Sequence, residues 1–149
     1  KNTVIIMTSN IGSPYIIEDS LENGEISVTT REKVENELKL RFRPEFLNRI
    51  DEIVIFKPLS KEDINSIIDI QMNFLDKKLE EKSITIELSE KAKDFIIERA
   101  YTPQFGARPI KRYLQQNIET DLGRKILSGE VSECDHVKVD VEGGSLVFE

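Results

Sequence analysis

Phe105-Gly106-Ala107-Arg108-Pro109-Ile110-Lys111-Arg112-Tyr113-Leu114 is the stretch from which the fold is best read. Pro109 suits the first turn of a helix, where its missing N–H has no partner to lose. Ile110, Leu114, Ile118, Leu122 and Ile126 then follow on one stripe, which predicts a long helix. Gly129 ends it. Just upstream, Tyr101 to Phe105 reads as a loop. Before that, Ser89 caps a short helix with Ala92, Phe95 and Ile96 inward, and Ile84, Ile86 and Leu88 alternate with polar residues as in a half-buried strand. Ser60 and Asp63 form a capping-box variant ahead of a helix carrying Ile64, Ile68, Met72, Leu75 and Leu79. Downstream, Val137, Val139 and Val141 alternate again. Glu142-Gly143-Gly144 then turns the chain into Leu146-Val147-Phe148 as a hairpin. Residues 59–149 are thus expected to form a separate small α+β domain with a short sheet on one side.

Residues 1–58 read differently. Val4, Ile5, Ile6 and Met7 run apolar into Thr8-Ser9-Asn10, the pattern of a strand buried on both faces in a parallel sheet. One strand is not a sheet, so its neighbours are expected upstream of residue 1. The chain, opening on Lys1-Asn2-Thr3, is expected to be a piece of a longer protein. Residues 11–30, with Gly12, Pro14, Gly24 and many acids, read as a surface loop. Thr30 is placed as the cap of a helix bearing Val34 and Leu38. Pro44 starts another with Phe46, Leu47 and Ile50 as its apolar face. Ile53-Val54-Ile55-Phe56 reads as a second buried strand ended by Pro58. These residues look like the tail of an α/β layer.

Composition narrows the function. Of 149 residues, 38% are hydrophobic and 33% charged, enough to bury a core. A net charge of -7 argues against a dedicated nucleic-acid surface but leaves room for a local basic phosphate site. The single cysteine, Cys134, has no partner for an internal disulfide. Cys134-Asp135-His136 is too small a set for zinc, which takes three or four ligands, and reads as a polar loop leading into a strand. No run reaches the ~20 apolar residues of a membrane helix.

Three segments, in order, resemble the Clp family of AAA+ ATPases: Asn2 to Asn10, Phe42-Arg43-Pro44-Glu45-Phe46-Leu47-Asn48-Arg49-Ile50-Asp51-Glu52, and Phe105 to Arg112. The likeness runs almost the full chain, through Ile126-Leu127-Ser128-Gly129-Glu130, and matches the end of the second ATPase module of ClpB-like and ClpC-like proteins. It implies the C-terminal part of a large α/β P-loop subdomain over 1–58, followed by the small C-terminal subdomain over 59–149. It also implies roles for single residues. Asn10 matches sensor 1. A side-chain amide carries both a donor and an acceptor, so it can hold the attacking water and touch the γ-phosphate. On its own, such an Asn would be a turn former. Arg49 matches the arginine finger, which stabilises transition-state charge on ATP held by a neighbouring subunit. Arg43 lies close enough to share or support that role. Without the motif, either would read as a surface Arg paired with Glu45 or Glu52. Arg108 matches sensor 2, and Gly106 lets the backbone turn tightly on the approach.

The phosphate loop G-x-x-x-x-G-K-[ST] is absent from this sequence. Asp51-Glu52 follows no buried apolar strand and is not a Walker B pair. The chain alone is therefore expected neither to bind ATP tightly nor to hydrolyse it. The resemblance implies ATP or ADP and Mg²⁺ in a full-length parent, a homo-hexameric ring, unfolded or aggregated protein substrates, and co-chaperones, with no nucleic acid or membrane. Clp proteins that serve a peptidase carry an aliphatic-Gly-aliphatic or aromatic docking tip between sensor 1 and the finger. Residues 13–40 hold none, since Gly24 lies between Asn23 and Glu25. That favours a ClpB-type disaggregase over a ClpC-like regulator of a peptidase. A non-enzymatic interaction module is the third reading. The compartment, cytosol or an organelle such as plastid or mitochondrion, is not readable.

Overall fold

The computed structural model describes residues 2–149. Lys1 and the side chain of Asn23, which both entered the reading above, lie outside the described residues. The chain forms two compact units, one up to Pro58 and the other Leu59–Glu149.

The second unit holds the hydrophobic core. Helix α4 (Lys61–Leu79) starts at a reciprocal capping box: the Asp63 N–H donates to Ser60 Oγ, and the Ser60 N–H donates to Asp63 Oδ2. Its stripe buries Ile64, Ile68, Met72 and Leu79. A short 3-10 turn (Glu80–Lys82) leads into strand β1 (Thr85–Leu88), whose residues alternate exposed and buried. Ser89 accepts the Ala92 N–H and caps α5 (Glu90–Ala100). That helix buries Ala92 and Ile96 together with Ile97 and Ala100, while Phe95 stays half-buried under the Arg99 guanidinium. Strand β2 (His136–Glu142) pairs parallel with β1, and β3 (Ser145–Phe148) pairs antiparallel with β2, in the order β1-β2-β3. Gly143 and Gly144 both take positive φ, as a two-residue hairpin turn requires.

Between the parallel strands runs an unbroken helical rod, Arg108 to Ser128: α6 (Arg108–Leu114), a π segment (Gln115–Glu119) and α7 (Thr120–Ser128). Its apolar residues recur every four positions. At 3.6 residues per turn, each such step overshoots by about 40°, so a plain α-helix would carry the stripe around its own axis. The wider π turn takes up part of that drift. Ile118 and Leu122 stay fully buried, and only Ile126 rises to half-buried. The Thr120 hydroxyl and N–H both donate to the Gln115 carbonyl, which locks the wide turn.

In the first unit several expectations are corrected. Residues 2–10 form no strand, and Val4 and Ile5 are 87% and 88% exposed. Residues 53–56 form none either, with Phe56 84% exposed. Both runs have the composition of buried strands, yet no strand pairs with them among the described residues. The stretch after Gly12 is not a loop: α1 covers Ser13–Asn23, with Pro14 in its first turn and Gly24 as a left-handed C-cap. Helix α2 (Val28–Arg41) is capped by Ser27, one turn earlier than expected, and Thr30 is buried beside Val34. The Ser27 N–H donates to the buried Asp19 carboxylate, tying α1 to α2. Pro44 does open α3 (Pro44–Leu47), a single turn with Phe46 exposed and stacked on Phe42.

Candidate functional site

Asn10 sits not at the end of a buried strand but on an exposed segment outside any helix or strand, immediately before a turn. That turn is closed by Ser13, whose hydroxyl and N–H both donate to the Asn10 carbonyl, at 2.7 and 3.3 Å. Gly12 follows with φ +77°, and a Cβ there would meet Val34 Cγ2 at 2.6 Å. The backbone leaving Asn10 is thus held against α2, while the Asn10 side chain stays exposed.

Arg43 is the N-cap of α3, and its carbonyl accepts the N–H groups of Phe46 and Leu47. Arg49 lies two residues past that helix, with its N–H on the Phe46 carbonyl. Both side chains are exposed. Among the described residues neither Glu45 nor Glu52 pairs with them, and the ion pair in this stretch is Arg41–Glu37.

Arg108 and Gly106 belong to the second unit. Gly106 takes φ +61°, a backbone conformation that favours glycine. Its N–H and that of Phe105 both donate to the Thr102 carbonyl, at 3.1 Å each, and Thr102 and Gly106 form an isolated bridge. This compact loop delivers the chain to Ala107, the N-cap of α6, with Pro109 in the first turn. Arg108 is exposed, with no ion pair among the described residues. Lys111 and Arg112 are exposed on the same short helix, and its first turn holds no acid. In a chain of net charge -7 this is a local basic patch with the chemistry to receive an anion.

The second unit also has an open groove of about 490 Å³, lined in part by Phe74, Leu75, Lys78, Leu114, Ile118 and Glu119. Neither Gly106 nor Arg108 lines it, although Lys111 of the same basic helix does. No group of three or more His, Cys, Asp or Glu able to hold a metal ion occurs among the described residues. Cys134 is exposed on the turn before β2, where its N–H donates to the Lys82 carbonyl.

The family model of the C-terminal, D2-small domain of ClpB protein matches residues 59–139. The chain belongs to the ClpB family. A second family model, an AAA domain (Cdc48 subfamily), matches residues 1–53. Chaperone protein ClpB of Meiothermus ruber is 52% identical over 149 residues, 100% of this chain and 17% of that protein. The ClpB chaperone of Bacillus anthracis is 48% identical over 147 residues, 99% of this chain and again 17% of that one. The solved S. cerevisiae Hsp104-ADP complex superposes with a TM-score of 0.80 at 35% identity, covering 92% of this chain and 24% of that chain. An Hsp104:casein complex in an extended conformation gives 0.78 at 34% identity, covering 98% and 26%. The chain therefore spans about a sixth of the curated ClpB relatives it matches. The helices and three-stranded sheet of the second unit match the AAA+ small C-terminal subdomain of this family. Among the described residues no helix is long and apolar enough to cross a membrane.

Sequence reading did not single out Tyr101. Its hydroxyl donates to the Leu59 carbonyl at 2.6 Å, a contact between residues 42 apart. The available signal was a Tyr at the start of the loop that leads to Gly106 and Arg108, which is weak taken alone.

Proposed function

We propose that, within a full-length ClpB-type disaggregase, this chain supplies three side chains to ATP hydrolysis. Asn10 is sensor 1: its amide orients the attacking water and reads the γ-phosphate. Arg49 is the finger that reaches ATP on a neighbouring subunit of a hexameric ring and stabilises the equatorial oxygens of the transferring group, with Arg43 in support. Arg108 is sensor 2, set on its compact loop by Gly106. ATP, when bound with Mg²⁺, supplies the phosphoryl group passed to water; the phosphate loop and the magnesium carboxylate come from outside this chain. Because Arg108 belongs to the small subdomain and reads nucleotide held by the large one, binding and hydrolysis shift the equilibrium between domain arrangements. That movement is what would pull on unfolded or aggregated protein, with co-chaperones delivering it.

The observation that carries this reading is the ordered set of three motifs, in which Arg49 and Arg108 remain exposed without a carboxylate partner among the described residues. A disaggregase is favoured over a peptidase regulator because α1 and α2 are joined by the polar link Gly24-Glu25-Ile26-Ser27, which presents no aliphatic-Gly-aliphatic tip. The test is nucleotide titration of full-length ClpB carrying this segment, with the first module's site disabled. Arg108→Ala is expected to weaken binding about ten- to a hundredfold, the worth of one charge-assisted hydrogen bond. An unchanged dissociation constant with unchanged turnover would return Arg108 to an ordinary loop residue.

A further inference from the structure

Two short stretches of the second unit, far apart in sequence, are joined by one side chain. The first is Leu59-Ser60, where the unit begins. Leu59 packs its side chain on the core, and Ser60 is fixed by its capping box with Asp63. The second is the loop from Tyr101 to Ala107 that ends at Arg108. Tyr101 caps α5, with its N–H on the Ile97 carbonyl, and both Tyr101 and Ala107 pack against the core. Between them the Thr102 carbonyl gathers the N–H groups of Phe105 and Gly106, so little slack separates Tyr101 from Arg108. The Tyr101 hydroxyl donates to the Leu59 carbonyl at 2.6 Å, the short end of the range for such bonds.

We infer that Tyr101 is a positioning residue, which acts through Arg108 and couples the nucleotide-reading loop to the start of the second unit at Leu59. This rests on the sensor-2 reading of Arg108. A phosphate that draws on Arg108 strains a loop whose near end is bonded to the chain at the unit boundary, so a displacement at one is felt at the other. Burial, helped by the Asp63 carboxylate, raises the Tyr101 phenol above its ordinary range, so it stays protonated and a donor at working pH. A bond of the same length serving stability alone would be indifferent to what Arg108 binds, and that difference can be measured.

The experiment is a double-mutant cycle in full-length ClpB carrying this segment, with the first module's site disabled and ADP as the probe. Tyr101→Phe removes only the hydroxyl and keeps the packed ring. With Arg108 present it is expected to weaken ADP binding about three- to tenfold, the worth of one hydrogen bond. In the Arg108→Ala background it is expected to add less than about twofold. Equal losses in both backgrounds, or no loss from Tyr101→Phe while Arg108→Ala keeps its own, would overturn the coupling and leave the sensor-2 reading standing. No loss from Arg108→Ala would remove both. A second measurement needs no variant: ADP should slow hydrogen exchange in the segments 101–108 and 56–61 together. Slowing confined to 101–108 would contradict the inference.

Discussion

The two units handle apolar residues in opposite ways. In Leu59–Glu149, eighteen buried hydrophobic residues make one cluster, with the helices and the sheet each supplying a face. In the unit up to Pro58, the buried hydrophobic residue is Val34 alone among those described, while Val4, Ile5, Ile6 and Phe56 stand in solvent. Yet Val4 to Met7 is as apolar as any stretch of the second unit. A hydrophobic pattern specifies that a face must be covered, and says nothing about what covers it. Where the complementary face lies in the same unit, the pattern becomes a core. Where none is present among the described residues, the same pattern stays exposed and unpaired.

The largest expected effect probes that contrast directly. Ile96→Ala, at a fully buried site, should destabilise the second unit by roughly 2 to 5 kcal/mol. Ile5→Ala in the same chain should change stability by less than about 0.5 kcal/mol. Urea denaturation of both variants measures this. Repeating Ile5→Ala in full-length ClpB carrying this segment sharpens it, since a loss there like that of Ile96→Ala would show the segment has become a covered strand.

Next in size is Gly12→Ala. A left-handed backbone and a 2.6 Å approach to Val34 Cγ2 both oppose a side chain there. The expected cost is about 1 to 3 kcal/mol to the α1–α2 pair. Hydrogen exchange of α2 amides checks it.

The smallest effect concerns the sheet of the second unit. The Ser89 hydroxyl donates to Asp140 at 2.6 Å, and the Val141 N–H donates to the same oxygen. These bonds, Ser89 first, hold the Asp140 carboxyl below its ordinary range. A depressed folded value means the contribution is present above the unfolded value, near pH 4, and is lost as pH falls through the lower folded one. Asp140→Asn should therefore be less stable than wild type at neutral pH, with the gap closing in acid. A gap that stays constant down to pH 2 would show that Asp140 is not the group responsible.

Most of the second unit was legible because its signals are local. The capping box at Ser60 and Asp63, the alternation at Ile84, Ile86 and Leu88, and the paired glycines at 143 and 144 each need only a few neighbours to act. The π turn was not legible, although the four-residue spacing that accompanies it was on view. Helix α1 is hidden in the sequence because Pro14 and Gly24 are common loop residues, whereas here one fits a first turn and the other a C-cap. The cap of α2 was misplaced by one turn because Ser27 and Thr30 are both good caps and only burial separates them. Of the candidate site, the residue types were readable from motifs. That Arg43, Arg49 and Arg108 make no ion pair among the described residues was not, and neither was the Tyr101–Leu59 bond, which depends on the packed core.

The central claim, that Arg49 completes an ATP site on a neighbouring subunit, is tested most directly by complementation in full-length ClpB carrying this segment, with the first module's site disabled. Arg49→Ala alone should keep nucleotide binding and lose hydrolysis by roughly 10³- to 10⁵-fold. Subunits lacking the phosphate-loop lysine should also be inactive alone. Mixed in equal amounts, the two should recover about a quarter of wild-type turnover, because a finger-bearing subunit then stands beside an intact pocket at that share of interfaces. Normal hydrolysis by Arg49→Ala, or no recovery in a mixture shown to form mixed rings, would contradict the account.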